Sequence, residues 1–177
     1  MNYSYYYLMQ YLPTRYEATQ NEWNNRREVW NFKDGVCSDR ILNEMVKTVN
    51  EIVGYAKSNY IICFIPASTS SRTQTRYSSL ARKLTERTGV FATLDAVKKN
   101  SDSVSGYVAG KSSNPTADFI FNANLLRGKK VILIDDVITR GRTFTQTASK
   151  ILANGASSVT GMFVAKTVNP DWNNMVA

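Results

Sequence analysis

An α/β fold, with a mostly parallel central sheet flanked by helices, is predicted by three features of this 177-residue chain. Short apolar runs at residues 60–65, 131–134 and 159–165 have the length and β-branched content of strands buried on both faces. Segments with apolar residues at helical spacing alternate with them, and no internal repeat or domain-scale linker interrupts the series. Two junctions from strand to helix are polar loops rich in hydroxyls and arginines, which parallel strands would carry to one edge of the sheet.

Residues 3–35 are rich in Tyr, Trp, Asn and Arg without a sustained period, and read as strand-like or irregular pieces. Their aromatics suit either a lid packed on the domain or a wall that stacks on a planar substrate. From Asp39 to Lys57 the residues Ile41, Leu42, Met45, Val46, Val49, Ile52, Val53 and Ala56 recur at helical spacing, with Ser38 or Asp39 as N-cap. The strand at 60–65 is stopped by Pro66. A loop, ASTSSRTQTR, then leads to Tyr77, Leu80, Ala81 and Leu84, a helical pattern ended by Gly89.

Residues 90–94 suit a short strand, residues 95–117 a long Lys-, Ser-, Asn- and Gly-rich loop of functional or disordered type, and residues 117–121 a short edge strand. After the central strand, Phe144, Ala148, Ile151 and Leu152 mark a helix that ends near Gly155, before the last strand. The expected division is an N-terminal region at 1–35, a core at 36–168 and a peripheral tail at 169–177.

One passage demands a chemical explanation. Residues 131–143 read VILIDDVITRGRT: four aliphatic residues, then Asp135 and Asp136 where the strand is expected to end. Adjacent acids beside a buried strand are costly without a task, and the carboxyl edge of a parallel sheet is the usual ligand crevice. Thr139, Arg140, Gly141, Arg142 and Thr143 follow, a Gly bracketed by hydroxyls and cations at a helix start. Such a turn presents unpartnered N–H groups and holds anions. The stretch therefore offers carboxylates for hydroxyls or a metal, and a cradle for phosphate.

Composition narrows the chemistry. Lys plus Arg number 22 against 14 Asp plus Glu, a net charge of +8 that attracts a phosphorylated small molecule or a nucleic acid. The absence of His removes Ser-His-Asp hydrolysis, Cys-His catalysis and His-containing zinc sites. Two cysteines, Cys37 and Cys63, are too few for a thiolate zinc site or a disulfide scaffold and suit reduced thiols of a cytoplasmic protein. The aromatic N-terminus lacks the pattern of a signal peptide, and no apolar run approaches the ~20 residues that span a bilayer, so no membrane partner is expected. Residues 106–112, GYVAGKS, imitate a nucleotide-triphosphate loop but are one residue short and follow a polar lead-in instead of a strand.

The 131–143 stretch resembles the signature of type I phosphoribosyltransferases: four hydrophobic residues, two acids and a Thr-Gly-Thr phosphate loop. Arg140 stands where that family usually has Thr, while Gly141-Arg142-Thr143 is similar to some members, notably pyrimidine-operon regulators. Similarity continues through Phe64-Ile65-Pro66, Arg76-Tyr77, Leu80-Ala81-Arg82, Phe119 and Gly128-Lys129-Lys130, in the order seen in ComF-like members. It covers roughly residues 30–167, without the zinc ribbon that often precedes that domain.

The resemblance implies a phosphoribosyltransferase-like fold with a small N-terminal hood that selects the acceptor. It implies binding of phosphoribosyl pyrophosphate and Mg²⁺, with transfer to a nitrogen acceptor and release of pyrophosphate. Residues 139–143 would hold the 5-phosphate, and Asp135 and Asp136 would be the catalytic acids on the ribose hydroxyls, near a substrate-carried Mg²⁺. Ser68, Thr69 and Arg72 would meet the pyrophosphate, and Lys98, Lys99 and Lys111 would belong to a mobile loop. Two other readings stay open: a sensor of phosphoribosyl pyrophosphate that regulates RNA or DNA, and an accessory protein of DNA uptake. Oligomeric state is open as well, a homodimer being one allowed outcome.

Overall fold

The computed structural model describes residues 3–100 and 114–170. The elements are β1 (Tyr5–Tyr11), α1 (Gln20–Lys33), α2 (Asp39–Val53), β2 (Tyr60–Phe64), α3 (Ser70–Thr88), β3 (Val97–Lys99), β4 (Phe119–Phe121), α4 (Ala123–Leu126), β5 (Lys130–Ile138), α5 (Arg142–Ala153) and β6 (Ser158–Thr167), and the strands expected at 60–65, 131–134 and 159–165 are among them. The 106–112 stretch, Lys111 and residues 171–177 lie outside the described residues.

Four strands form the central sheet in the order β1-β6-β5-β2, and every pairing is parallel. Three helices cover one face: Val29 and Phe32 of α1, Met45 and Val49 of α2, and Tyr77, Leu80 and Leu84 of α3 pack on Ile132, Ile134, Met162 and Val164. On the other face Phe144, Ala148 and Ile151 of α5 meet Val131, Leu133, Val159 and Phe163. This alternation along β5 explains why its apolar run is continuous: each such side chain gains about 1.5–3 kcal/mol by burial on one face or the other. Gly161 of β6 permits the close approach of α5, since a Cβ there would stand 2.8 Å from the rings of Phe144 and Phe163.

Four local expectations change. In the N-terminal region β1 is the strand-like piece and joins the central sheet at its edge beside β6, but Gln20–Lys33 is a helix, α1, that begins at a capping box made by Thr19 and Glu22. That box was readable in the sequence, but the polar run QNEWNNRREVWNFK buries only Arg26, Val29 and Phe32, too few for a clear period. Residues 90–94 make one parallel bridge, Ile62 to Ala92, instead of a strand. Phe119–Phe121 is not an edge of the central sheet; it pairs antiparallel with Val97–Lys99 in a separate ribbon, within the segment expected to be loop.

The fourth change bears on function. β5 does not end before the acids but runs through them to Ile138, paired with β6 as far as Lys166. Its pairing with β2, however, stops at Phe64 and Ile134. Asp135 and Asp136 therefore project from a strand that has lost its β2 neighbour, at the carboxyl edge of the sheet.

Candidate functional site

Strand alternation sends the two acids to different surroundings. Asp136 is buried on the α3 side, where its Oδ2 lies 2.6 Å from Nη1 of Arg76 in an ion pair. Its Oδ1 accepts from the backbone N–H of Val137 at 2.6 Å. Asp135 faces a cavity of about 310 Å³ that it lines with Val137, residues 138–144 and Phe163. The Tyr77 hydroxyl donates to Asp135 Oδ1 at 3.1 Å, and the N–H of Asp136 donates to the same oxygen at 2.8 Å.

Burial and the adjacent charge of Asp136 push the Asp135 carboxyl up to about 7, against the hydrogen bonds and the Arg76 charge that favour its ionised form. Burial, then the Asp135 charge, holds the Tyr77 phenol well above its ordinary range, so it remains a donor. Arg76 and Tyr77 are the residues that sequence reasoning did not assign to the site. Their signal was present, a cation and an aromatic hydroxyl about two turns into the helix that follows the hydroxyl-rich loop.

Residues 139–143 run from the end of β5 into the first turn of α5. Gly141 is the N-cap of α5 with φ 68°, a left-handed conformation that suits glycine. No side-chain hydrogen bond caps the helix, and its first turn carries Arg142 and no acid. The first-turn N–H groups thus open toward the cavity with positive helix-dipole and guanidinium charge beside them. Thr143 lines the cavity, and Thr139 shares a 2.7 Å hydroxyl contact with Thr167 at the end of β6. Arg140 is exposed at the mouth of the same cavity.

The second predicted loop is arranged differently. Thr69 caps α3, its hydroxyl accepting from the N–H of Arg72 at 3.1 Å. The Thr73 hydroxyl accepts from Ala67 N–H and donates to Thr69 C=O, both at 2.9 Å. Ser68 and the side chain of Arg72 are exposed. Lys99 reaches the Ser68 carbonyl at 2.9 Å and Asp118 at 3.2 Å, so it is brought to this loop. Lys98 instead pairs with Asp95 at 2.8 Å. Cys37 and Cys63 are both free, and burial pushes the Cys37 thiol up to about 11. No helix among the described residues is long and apolar enough to cross a membrane.

The chain is thus an α/β domain whose parallel sheet carries an acid, an uncapped helix start and an arginine-containing turn at its carboxyl edge. The family model of the phosphoribosyl transferase domain matches residues 71–166, more than half of the chain, and the chain belongs to that family. Among solved structures it is similar to the allosteric regulatory enzyme of purine biosynthesis, with 18% identity and a TM-score of 0.46, over 70% of this chain and 25% of that one. For adenine phosphoribosyltransferase from Saccharomyces cerevisiae the values are 19% and 0.44, over 73% of this chain and 70% of that one. For hypoxanthine-guanine phosphoribosyltransferase of L. donovani they are 14% and 0.44, over 78% and 71%. The chain thus spans a quarter of the length of the first of these. The search of curated proteins gave no match.

Proposed function

We propose that this protein is a phosphoribosyltransferase, of the ComF-like branch, that binds phosphoribosyl pyrophosphate and transfers its phosphoribosyl group to a nitrogen acceptor. The observation that carries this reading is the shared cavity of Asp135 and the uncapped start of α5, which pairs an acceptor for ribose hydroxyls with donors for a 5-phosphate. In the reaction a nitrogen lone pair forms the N–C1 bond while the C1–O bond breaks. The bonding electrons leave with pyrophosphate, and the acceptor nitrogen gives up its proton to solvent.

Residues of this chain would act mainly by position and charge. The first-turn N–H groups of α5 and the hydroxyls of Thr139 and Thr143 hold the 5-phosphate, with Arg140 and Arg142 adding charge. Asp135 in its carboxylate form accepts the ribose hydroxyls. Asp136, held by Arg76, fixes the end of β5 and the start of α3 relative to each other. Thr69, Ser68, Arg72 and Lys99 would surround the pyrophosphate, and Lys98, paired with Asp95, lines the cavity beside them with Lys99, Ser70 and Thr73.

Mg²⁺ fits this donor set as a substrate-carried ion. Among the described residues no group of three or more His, Cys, Asp or Glu side chains is gathered for a metal, and Mg²⁺ readily uses one or two carboxylates plus phosphate oxygens. Bound with substrate, it would neutralise the leaving pyrophosphate. Asp135 is the carboxylate placed for it, since Asp136 is already paired. A location in the cytoplasm fits such substrates.

Pyrophosphate release, assayed with phosphoribosyl pyrophosphate, Mg²⁺ and a panel of nucleobases, tests the activity. Turnover that is lost in Asp135→Asn supports the reading; tight ligand binding without turnover for any base moves the assignment to the second one. That second reading, a ligand-sensing regulator of RNA or DNA, is favoured by the net charge of +8 and by the exposed Arg140. It predicts nucleic-acid affinity that falls steeply with salt.

A further inference from the structure

A second cavity adjoins the phosphate cavity and plays no part in the chemistry described so far. It measures about 360 Å³, and Tyr3, Tyr5, Thr139, Arg140, Phe144 and Thr145 line it. Thr139 and Arg140 line the phosphate cavity as well, so the two share one rim. β1 supplies the aromatic wall. Strand alternation sends Tyr3, Tyr5 and Tyr7 to one face. The rings of Tyr3 and Tyr5 stand edge-on to Phe144 of α5 at 5.9 and 6.3 Å, which fixes that face as the α5 side of the sheet. α5 packs on β5 and β6, whereas β1 lies beyond them at the sheet edge. The outer rings therefore stay open, Tyr5 at 36% and Tyr7 at 43% exposure. Lys166 of β6 reaches both, its Nζ 5.5 Å from the centre of each ring.

Charge and spacing select the occupant. A protein partner would have to desolvate the Lys166 ammonium in the middle of the patch, and lysine is depleted from the cores of protein interfaces. Rings with cations beside them fit a polyanion that carries planar units, and no acid lines the cavity among the described residues. Side chains two residues apart on a strand stand about 6.7 Å apart. That is roughly twice the ~3.4 Å rise of stacked bases in a duplex, so the rings suit bases that have been drawn apart. A duplex keeps its base faces covered and offers this patch only phosphates.

We infer that the face of Tyr3, Tyr5 and Tyr7, with Lys166 and Arg140, is a platform for single-stranded nucleic acid. The rings stack on bases, and the two cations meet the phosphates. This rests on the nucleic-acid reading given second above and adds its site and the class of strand it takes; the transferase reading does not depend on it.

Fluorescence anisotropy with labelled RNA and DNA strands of about 12 nucleotides, and with the matching duplexes, tests the platform. Single strands are expected to bind roughly tenfold more tightly than duplexes, with affinity falling as salt rises. Tyr5→Leu and Tyr7→Leu keep an apolar side chain but remove the stacking face, and each should weaken single-strand binding by roughly tenfold. Lys166→Gln should lower the salt slope by about one. Ribose 5-phosphate affinity, read by calorimetry on the same variants, should hold, which a folding defect would not allow. Single-strand binding that survives in Tyr5→Leu/Tyr7→Leu, or equal binding of duplex and single strand, overturns the platform and leaves the nucleic-acid reading standing. No binding of any oligonucleotide at low salt overturns both. A dimer in sedimentation that Tyr7→Leu dissociates would make the face a contact between copies and overturn the platform as well.

Discussion

The two loops that follow β2 and β5 sit on neighbouring strands of one sheet and both open helices, yet they treat their helix starts in opposite ways. Thr69 caps α3, and Thr73 and Lys99 occupy the loop beside it. Gly141 leaves α5 without a side-chain cap and without an acid in its first turn. A capped start is satisfied in the free protein, whereas an uncapped one stays ready for an anion. On the proposed reading, α5 is therefore the preformed anion site. At α3 a ligand must either exchange existing hydrogen bonds or use exposed side chains such as Arg72.

Arg76 and Tyr77 connect the two loops, because both belong to α3 and contact the acids of β5. Cutting that connection should have the largest effect. Arg76→Met would leave the buried Asp136 carboxylate without its ion partner, at a cost of about 3–5 kcal/mol. For a chain of this size that lowers Tm by roughly 10 °C, and urea melts compared with Arg76→Met/Asp136→Leu should show partial recovery in the double variant.

Making α5 resemble α3 is the next test. Thr143→Glu places a carboxylate in the first turn, which should leave Tm unchanged or slightly higher. Ribose 5-phosphate affinity should nevertheless drop by on the order of a hundredfold, because like charges then meet in the cradle. Calorimetry and melting on the same sample would separate these opposite effects.

The acid at the edge of the cradle gives a pH signature. The folded state raises the Asp135 carboxyl to about 7 from its ordinary value of 3.8. Between those values the folded protein holds more protons than the unfolded chain, so stability falls as pH rises through that window and levels off above it. Tm measured from pH 5 to pH 8 should therefore decline, and Asp135→Asn should flatten the decline and melt higher at pH 8. The smallest effect is expected at the other loop: Thr69→Ala removes a cap worth about 1 kcal/mol and lowers Tm by a few degrees, with ribose 5-phosphate binding unchanged.

Much of this arrangement could be read from residue order, because apolar runs report burial on both faces and glycine among hydroxyls and cations reports a turn. The strands at β2, β5 and β6, helices α2, α3 and α5 and the loop at 139–143 all followed from such local signals. What did not follow depends on distant partners. Asp135 and Asp136 stand at an open edge because β2 ends at Phe64 while β6 continues, and no local pattern encodes the length of a neighbour. Likewise α1 holds itself by a capping box and one buried arginine more than by an apolar stripe, and Val97–Lys99 is a strand only because Phe119–Phe121 returns to it.

The central claim is that Asp135 and the open start of α5 bind one phosphorylated sugar together. A thermal shift with phosphoribosyl pyrophosphate and Mg²⁺ tests it most directly. At a ligand concentration of ~100 times Kd the added stability is ~2.7 kcal/mol, a rise of roughly 5 to 10 °C, and it should vanish when Asp135 and Asp136 are both changed to Asn. No shift at millimolar ligand, or an equal shift in that double variant, would contradict the claim.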